Sequence, residues 1–397
     1  MIRTLAISNY RSIRDLVMPL TRLNLITGAN GSGKSNLYKA LRLLASTAQN
    51  GIIAPLAREG GLQSVVWAGV EDRSGRVRRG EIVATGRARG TPSPRLKLGF
   101  GADDFGYAVS MGIVPPPGNE SRDTGSSFVL DPEFKRESIW AGDFMRPSNL
   151  LIDRDGNVVR RRAQRGWDVV SQRLPRFESL FSQVGGDDLS PEVYAVREAM
   201  RSWRFYDHFR VDADSPARQS QIGTRTLVLH HDGRDLAAAW QTIREIGDHW
   251  ALDEAVSDAF PGAKVEVNAR PGGLFSILLH QDGLSRPLGA AELSDGTLRY
   301  LLLCAALLTP RPPALLVLNE PEASLHSDLL APLGRLIRRA AQNSQVWVVS
   351  HSSRLAATLE DDSECNTIVL EKAFSETSIA GQRPLERPAW HWADSKN

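Results

Sequence analysis

The segment GANGSGKS, at Gly28–Ser35, combines the residue types that a phosphate group requires of a protein. Its glycines allow the backbone to turn with unhindered N–H groups. Such groups, together with the N-terminus of a helix, bind phosphate oxygens. The Lys34 ammonium can reach the β- and γ-phosphates of a nucleotide, and the Ser35 hydroxyl can bind Mg²⁺. The segment therefore predicts a nucleoside triphosphate site.

The residues on either side predict the elements that position this segment. The apolar run Leu23–Thr27 precedes it, and Leu37, Leu41 and Leu44 follow it at helical spacing. A strand, a glycine-rich turn and a helix in this order bring the loop amides and the helix N-terminus to one place.

A second set of polar residues follows apolar strands in the last third of the chain. The run ALLVL (314–318) leads into Asn319 and Glu320, and QVWVVS (345–350) leads into His351. Parallel α/β sheets bind their ligands at the carboxyl ends of strands. In phosphate-loop ATPases the first residue of such a pair holds Mg²⁺ and the next polarises the attacking water. A capped loop and a structural histidine would give the same pattern.

The segment ELSDGT, at Glu292–Thr297, precedes the helix that the sequence predicts for 298–308. Ser294 is a favourable N-cap, and Asp295 lies where the helix dipole favours an acid. Gly296 permits the close approach of another group. An ordinary helix cap accounts for each of these residues, so the segment gains a functional meaning only from the other motifs.

Taken together, these motifs resemble those of the ATP-binding-cassette and SMC superclass of ATPases. GANGSGKS resembles the phosphate loop, ELSDGT the LSGGQ-type signature, LLVLNEPEASLH the Walker B strand with its D-loop, and VVSHSS the switch-histidine segment. The stretches ISNYRSI, FYDHFR and LHHDGRDLAAAWQ further resemble the RecF-like single-chain branch. The resemblance implies an α/β fold: a P-loop NTPase with an ABC/SMC-type head, a mixed core sheet, an antiparallel β-lobe and a helical insertion.

The resemblance also implies ATP and Mg²⁺ as cofactors and a role for each matching position. Glu320 is the expected general base, His351 the contact to the γ-phosphate, and Lys34 a third catalytic residue. The expected ATP-binding residues are Arg11, Asn30, Gly31, Ser32, Gly33, Lys34, Ser35, Asn36, Ser294 and Gly296. The expected Mg²⁺ ligands are Ser35, Asn319 and Gln63.

Two further consequences of the resemblance concern assembly and turnover. Family members sandwich two ATP molecules between two heads, so Ser294 and Gly296 would complete the ATP site of a partner subunit in an ATP-dependent homodimer. Asn319 stands where the family has aspartate. We expect that difference to affect the affinity for Mg²⁺ and the rate of hydrolysis, but not the binding of the nucleotide.

The element pattern predicts an ATPase head that is interrupted by an insertion. The four predicted parts are 1–100 (N-terminal part of the head), 101–262 (insertion), 263–375 (C-terminal part of the head) and 376–397 (tail). An antiparallel β-lobe is predicted in the first part, including strands at 81–85 and 96–99. The insertion is predicted to be a loop over 101–131, with helices near 165–181, 191–204 and 236–246. The C-terminal part is predicted to begin with a hairpin at 263–268 and 274–280.

Composition sets limits on location and partners. The net charge of +2 argues neither for nucleic acid nor for an anionic membrane. The N-terminus lacks a signal-peptide pattern, and the longest apolar run, 301–308, is far shorter than the roughly 20 residues of a spanning helix. The scarcity of cysteines, Cys304 and Cys365, suits a reducing compartment. We therefore expect a cytoplasmic protein without a membrane partner.

Two classes of function remain open. One is a DNA-associated ATPase of repair or genome surveillance that clamps double-stranded DNA when ATP closes the dimer. The other is an ATP-dependent switch that regulates a separate effector protein in a defence or toxin-like system. Only 46 residues follow His351 (397 minus 351), which is too few for a nuclease domain such as some members of the superclass append after the switch histidine. Two arginine clusters suit DNA phosphates or a solvated face equally: Arg73, Arg76, Arg78, Arg79 and Arg160, Arg161, Arg162, Arg165.

Overall fold

The computed structural model describes residues 1–49, 51–68, 95–113, 128, 131–183, 191–207, 209–383 and 385–393. The chain divides into two units. Unit 1 comprises Met1–Leu20, Gly28–Ser202 and Val369–Asn397, and unit 2 comprises Thr21–Thr27 and Trp203–Ile368. No helix in the described ranges has both the length and the apolar character needed to cross a membrane.

The strands and helices of the described residues are numbered in chain order. The strands are β1 Ile2–Tyr10, β2 Ile13–Pro19, β3 Leu23–Gly28, β4 Leu96–Ala102, β5 Phe105–Gly112, β6 Glu133–Ala141, β7 Leu150–Asp155, β8 Val158–Arg162, β9 Trp167–Ser171, β10 Arg204–Tyr206, β11 Gln221–Ile222, β12 Lys264–Arg270, β13 Leu274–His280, β14 Leu288–Gly289, β15 Leu315–Asn319, β16 Gln345–Val349, β17 Cys365–Ala373 and β18 Glu376–Ile379. The helices are α1 Lys34–Ser46, α2 Ile53–Arg58, α3 Leu62–Val65, α4 Pro191–Ser202, α5 Leu236–Ile246, α6 His249–Ala259, α7 Asp295–Leu307, α8 Leu330–Ala341 and α9 Ser353–Glu360.

Unit 1 is built on an eight-stranded antiparallel sheet in the order β2-β1-β4-β5-β6-β7-β8-β9. The helix α1 packs against β1 and β4 through its apolar face, which includes Leu37, Leu41 and Leu44. The sheet buries a charged pair, Glu137 on β6 and Arg154 on β7, whose side chains are fully inaccessible. The Glu137 carboxylate also accepts hydrogen bonds from the Tyr107 hydroxyl (2.7 Å) and the Leu180 amide (2.9 Å). These partners offset part of the cost of burying the two charges.

Unit 2 is built on parallel strands in the order β10-β15-β16-β3, with the first residues of β17 at the far edge. Helix α7 is buried along nearly its whole length, from Leu298 to Leu307, and packs against α5, α6 and α8. Burial on every side explains why its sequence is apolar without a polar face. A smaller antiparallel sheet, β11-β13-β12 with β14 paired to β13, covers the same core.

Most of the predicted elements are confirmed, and two predictions are wrong. The strands at 314–318 and 345–350, the hairpin at 263–280 and the helices at 191–204, 236–246 and 298–308 all lie at the expected places within a few residues. The predicted loop 101–131 instead contains β5, and the predicted helix 165–181 instead contains β9. The predicted strand at 81–85 lies outside the described residues.

The glycines of β4 and β5 explain the first error. A Cβ at Gly106 would lie 2.0 Å from Cε2 of Trp140, and a Cβ at Gly101 would lie 1.8 Å from the carbonyl oxygen of Asp143. These glycines make room for neighbouring groups within a sheet, whereas in the sequence they resemble the glycines of a loop. The strand β9, WDVVS, contains two β-branched valines but no regular alternation of apolar and polar or of buried and exposed residues, so its sequence lacks the usual strand pattern.

Candidate nucleotide site

The glycine-rich segment lies in unit 1 as a tight turn between the end of β3 and the start of α1. Gly28 has a φ of 140° and Gly33 a φ of 111°, both in the region that favours glycine. Space is also restricted at both positions. A Cβ would lie 2.3 Å from the Leu370 carbonyl oxygen at Gly28 and 2.1 Å from Oγ1 of Thr377 at Gly33. Any larger residue at either position would therefore displace the loop.

The polar side chains of the loop fit the binding of a triphosphate. The Lys34 side chain is buried, and its Nζ donates hydrogen bonds to the carbonyl oxygens of Gly28 (2.6 Å) and Ala29 (3.0 Å). These bonds place the Lys34 ammonium against the loop that is predicted to bind the phosphates. Within the described residues, Oγ of Ser32 is buried with no hydrogen-bond partner. Asn30, Gly31 and Ser35 are exposed, so their polar groups are accessible to a nucleotide.

A residue of the C-terminal hairpin supports the loop, which the sequence analysis did not anticipate. Oγ1 of Thr377, on β18, donates a hydrogen bond to the carbonyl oxygen of Ser32 (2.8 Å). It also lies 2.7 Å from Oγ of Ser12, which accepts a hydrogen bond from the Asn36 side chain (2.7 Å). Thr377 is 1% exposed. This buried network connects the β1–β2 turn, the phosphate loop, α1 and β18.

Two other predicted site residues of unit 1 lie apart from this network. Arg11 has a φ of 48° in the β1–β2 turn, and its guanidinium pairs with Glu59 at 2.8 Å. Gln63 is an exposed residue of α3. The contact of Arg11 with ATP and the contact of Gln63 with Mg²⁺ therefore remain predictions.

In unit 2, the predicted catalytic residues lie at the carboxyl edge of the parallel strands. Asn319 at the end of β15 is in register with Val349 at the end of β16, and Val349 is in register with Ile26 of β3. The residues that follow these strands therefore leave the sheet at the same edge. Gly28, the first residue of the phosphate loop, comes two residues after Ile26 in the chain.

The expected base and the expected switch histidine are in direct contact. Nε2 of His351 lies 3.1 Å from Oε1 of Glu320, and both side chains are partly exposed. The Glu320 amide donates to the carbonyl oxygen of Val349 (2.8 Å), which ties the two segments together at the backbone. Glu320 has a φ of 49°, an unusual conformation for a residue other than glycine. Such strain is typical of functional loops.

Glu322 organises the histidine segment, a role that the sequence analysis missed. Its Oε1 accepts hydrogen bonds from Oγ of Ser350 (2.6 Å), from the amide of His351 (2.9 Å) and from the amide of Ser352 (3.2 Å). Oε2 of the same carboxylate is buried with no partner among the described residues. The second acid of the segment NEPE was the available signal for this role.

A buried arginine supports the loop that carries Glu320. The Arg299 side chain, on α7, is 1% exposed, and its Nη2 donates to the carbonyl oxygen of Glu320 (3.0 Å). Burial lowers the pKa of Arg299, while the nearby carboxylates of Glu322 and Glu320 act in the opposite direction. The Arg299 guanidinium thus stabilises the strained backbone at Glu320 through this hydrogen bond.

The signature-like segment begins α7 on the surface of unit 2. Oγ of Ser294 accepts a hydrogen bond from the Thr297 amide at 3.1 Å, as predicted for an N-cap. Ser294 and Asp295 are exposed. A Cβ at Gly296 would lie 3.0 Å from the Ser324 carbonyl oxygen, in the loop after Glu320. The glycine therefore lets the signature segment and this loop approach closely.

One further cluster has residue types that could bind a metal. Candidate ligand atoms of His230, His231 and Asp232 lie within 4.8 Å of one another. However, Nδ1 of His230 already bonds Asp232 (2.6 Å), and Nη2 of Arg234 lies 2.9 Å from Nε2 of His230. Both ring nitrogens are therefore engaged, and the adjacent guanidinium opposes a cation.

The predicted site residues thus fall into two groups. Asn30, Gly31, Ser32, Gly33, Lys34, Ser35, Asn36, Arg11 and Gln63 belong to unit 1, whereas Asn319, Glu320, His351, Ser294 and Gly296 belong to unit 2. Of the two arginine clusters, Arg160, Arg161, Arg162 and Arg165 lie on or beside β8, and the cluster at Arg73–Arg79 lies outside the described residues.

Comparisons with known proteins identify similar sequences and folds. A family model described as "AAA domain, putative AbiEii toxin, Type IV TA system" matches residues 23–357. No curated protein matches the sequence. Among solved structures, an Smc head bound to the C-winged helix domain of ScpA is 14% identical, with a TM-score of 0.52, and covers 96% of this chain and 97% of its own.

Two other solved structures show lower scores. The Smc head of Pyrococcus furiosus, with an extended coiled coil and bound to the C-terminal domain of ScpA, is 13% identical with a TM-score of 0.49, over 96% of this chain and 95% of its own. The SMC head domain of Thermotoga maritima is 13% identical with a TM-score of 0.44, over 96% of this chain and 99% of its own. Only the Smc head bound to the C-winged helix domain of ScpA has a TM-score above 0.5, and at 14% identity this likeness concerns the fold alone.

Proposed function

Because this chain belongs to the AAA-domain family whose model it matches, a family of ABC/SMC-type P-loop ATPases, we propose that it hydrolyses ATP as a RecF-like, ATP-dependent homodimer. We further propose that the dimer acts on double-stranded DNA in repair or genome surveillance. The observation that carries the proposal of hydrolysis is the contact of His351 with Glu320 at the carboxyl edge of β15 and β16.

Each predicted site residue receives a role in this proposal. The backbone and Lys34 of the phosphate loop bind the phosphates, and Ser35, Asn319 and Gln63 would hold Mg²⁺. When bound, Mg²⁺ neutralises charge on the β- and γ-phosphates. Glu320 would accept a proton from the attacking water, and His351, whose Nε2 lies against Glu320, would contact the γ-phosphate.

Dimerisation is proposed because the signature segment is exposed. Ser294 and Asp295 face solvent at the start of α7, where an N-terminal dipole favours anions. The partner subunit's nucleotide is the anion that the resemblance implies at this position. Contacts that form only when a γ-phosphate bridges two subunits would make assembly depend on ATP.

DNA binding is proposed from the exposed arginines beside β8. Arg160, Arg162 and Arg165 are exposed, and the sheet edge that carries them is formed by β8 and β9. The second candidate is an ATP-dependent switch that regulates a separate effector. The description of the matching family, which includes a putative AbiEii toxin and a type IV toxin–antitoxin system, fits this second candidate.

The assembly experiment uses Glu320→Gln, which keeps the shape of the side chain and removes the base. We expect hydrolysis to fall by about 10²–10⁴-fold, the usual contribution of a general base, while ATP and Mg²⁺ convert the variant into a stable dimer. Light scattering measures the mass. The matched control, Lys34→Ala, removes the cation of the loop and should stay monomeric with ATP. An unchanged monomer mass for Glu320→Gln with ATP and Mg²⁺ would contradict the proposal.

A further inference from the structure

Arg218 connects the signature segment to a neighbouring loop of unit 2. Its side chain is 7% exposed. Nη1 donates to the carbonyl oxygens of Ala290 (2.9 Å) and Leu293 (2.7 Å), and Nη2 pairs with Oδ1 of Asp295 (2.7 Å). On the other side, Nε and Nη2 donate to the carbonyl oxygen of Val211 (3.0 and 2.8 Å). One guanidinium therefore binds both segments at once.

The loop that carries Arg218 is itself firmly anchored. Val211 and Ala217 belong to the buried apolar core of unit 2. Oγ of Ser215 donates to the carbonyl oxygen of Arg210 (2.5 Å), and the Arg218 amide donates to the carbonyl oxygen of Ser215 (3.0 Å). Because these bonds fix the backbone at Arg218, its rigid guanidinium presents donors in a fixed geometry.

On the side that precedes α7, the Glu292 side chain of the signature segment pairs with Arg286 and accepts a hydrogen bond from the Gly289 amide (2.9 Å). Ala291, Glu292, Ser294 and Asp295 are all exposed, and only Leu293 is buried among them. The carbonyl oxygen that Arg218 binds most closely is that of Leu293, the residue before Ser294. The contact with Arg218 therefore helps to orient the peptide between Leu293 and Ser294.

We propose that Arg218 is a positioning residue that holds Ser294 and Gly296 in the conformation that receives the partner subunit's nucleotide. This inference rests on the proposed ATP-dependent dimer. It assigns Arg218 a role in trans: the residue affects hydrolysis of the ATP held by the other subunit and leaves the binding of ATP by its own phosphate loop unchanged.

The first test compares Arg218→Gln with Arg210→Gln. Arg210 lies in the same loop but is exposed, and its side chain pairs with Asp212 and Asp214. For Arg218→Gln we expect ATP affinity within about twofold of wild type, whereas the protein concentration for half-maximal hydrolysis should rise by about tenfold, as for loss of a charged hydrogen bond. Arg210→Gln should match wild type in both. Equal concentration dependence for the two variants would overturn the inference.

The second test is complementation between two impaired variants. In a mixed dimer of Arg218→Gln with Glu320→Gln, the Arg218→Gln subunit contributes ATP and an intact base, and its partner contributes an intact signature. The mixture should therefore hydrolyse ATP faster than the sum of the two variants measured separately. A rate equal to that sum shows that Arg218 supports only its own subunit and overturns the inference.

Two controls separate this outcome from other failures. If Arg218→Gln fails to fold by circular dichroism, Arg218→Lys is used in the same mixture, because it keeps the charge beside Asp295 and loses the bridging carbonyl contacts. If Glu320→Gln stays monomeric with ATP and the wild-type rate per subunit does not depend on protein concentration, the proposed dimer is wrong and the inference falls with it. A Glu320→Gln dimer without complementation overturns the role of Arg218 alone.

Discussion

At the scale of single residues, Asn319 stands where the resemblance to ABC/SMC ATPases implies an aspartate. At the proposed Mg²⁺ site its carboxamide would offer the ion, or a water bound to it, a neutral oxygen where the resemblance implies an anionic one, and Mg²⁺ prefers charged oxygen ligands. We predict that Asn319→Asp lowers the Mg²⁺ concentration for half-maximal hydrolysis by roughly fivefold, equivalent to about 1 kcal/mol for a charged ligand. A Mg²⁺ titration of the steady-state rate measures this. Superimposable curves would show that this position acts through water and that its charge hardly matters.

Glu322 gives a second prediction at this scale. Replacing it by alanine leaves Oγ of Ser350 and the amides of His351 and Ser352 without their common acceptor. We expect Glu322→Ala to lower kcat by about 10²-fold, because displacement of a catalytic group by about 1 Å has this effect. The affinity for ATP should change little.

The matched control for this prediction is Glu322→Gln. The carboxamide keeps one acceptor oxygen of the same shape, so it should restore most of kcat. Single-turnover hydrolysis separates the chemical step from nucleotide binding. Equal kcat values for wild type and Glu322→Ala would show that the histidine segment holds its conformation without this carboxylate.

At the scale of elements, the hairpin of β17 and β18 supports the phosphate loop. Thr377 joins the Ser32 carbonyl oxygen to Oγ of Ser12 in a buried network. We predict that Thr377→Val, which keeps the shape and removes the hydroxyl, costs about 1–3 kcal/mol of unfolding free energy because buried partners lose a hydrogen bond. ATP affinity should fall as well, since the loop loses a support.

The control for this substitution lies on the same hairpin. The Thr367 side chain is exposed and bonds Glu360, so Thr367→Val should leave both stability and ATP affinity near wild type. Chemical denaturation and calorimetric ATP binding are the two measurements. If Thr377→Val loses stability while its ATP affinity stays unchanged, the hairpin stabilises unit 1 without shaping the nucleotide site.

At the scale of the whole molecule, the net charge of +2 conceals a local concentration of positive charge beside β8. Arg160, Arg162 and Arg165 are exposed, and none of them pairs with a carboxylate of the described residues. We predict that the triple alanine variant weakens binding of duplex DNA of any sequence. The slope of log K against log salt should fall by about 2–3, near 0.9 for each lost phosphate contact.

A triple variant with the same change of charge serves as the control. Arg201, Arg210 and Arg225 each pair with a nearby acid, so their replacement by alanine should alter DNA binding and its salt dependence little. Fluorescence anisotropy with ATP over a salt series measures both variants. If wild type forms no complex with duplex DNA at low salt, with or without ATP, the effector-switch function is favoured.

The fold class was predictable from the sequence because it depends on local patterns. Strands such as β15 and β16 are continuous apolar runs, α5 shows helical spacing, and the phosphate loop combines several glycines with Lys34 over a short stretch. The likeness to an Smc head and the family match confirm an ABC/SMC-type P-loop head. The expected roles of the site residues were inferred in the same way and stay predictions.

The supporting contacts could not be predicted from the sequence, because their partners are distant along the chain. Thr377 and Ser32 are 345 residues apart, Arg218 and Asp295 are 77 apart, and Glu322 and His351 are 29 apart. A sequence pattern records which side chains an element presents, whereas a hydrogen bond depends on where folding places both partners. The sequence by itself thus determined the strands β15 and β16, the phosphate loop and the candidate chemistry, but not the strands β5 and β9. Only the tertiary structure decided which buried groups hold them in place.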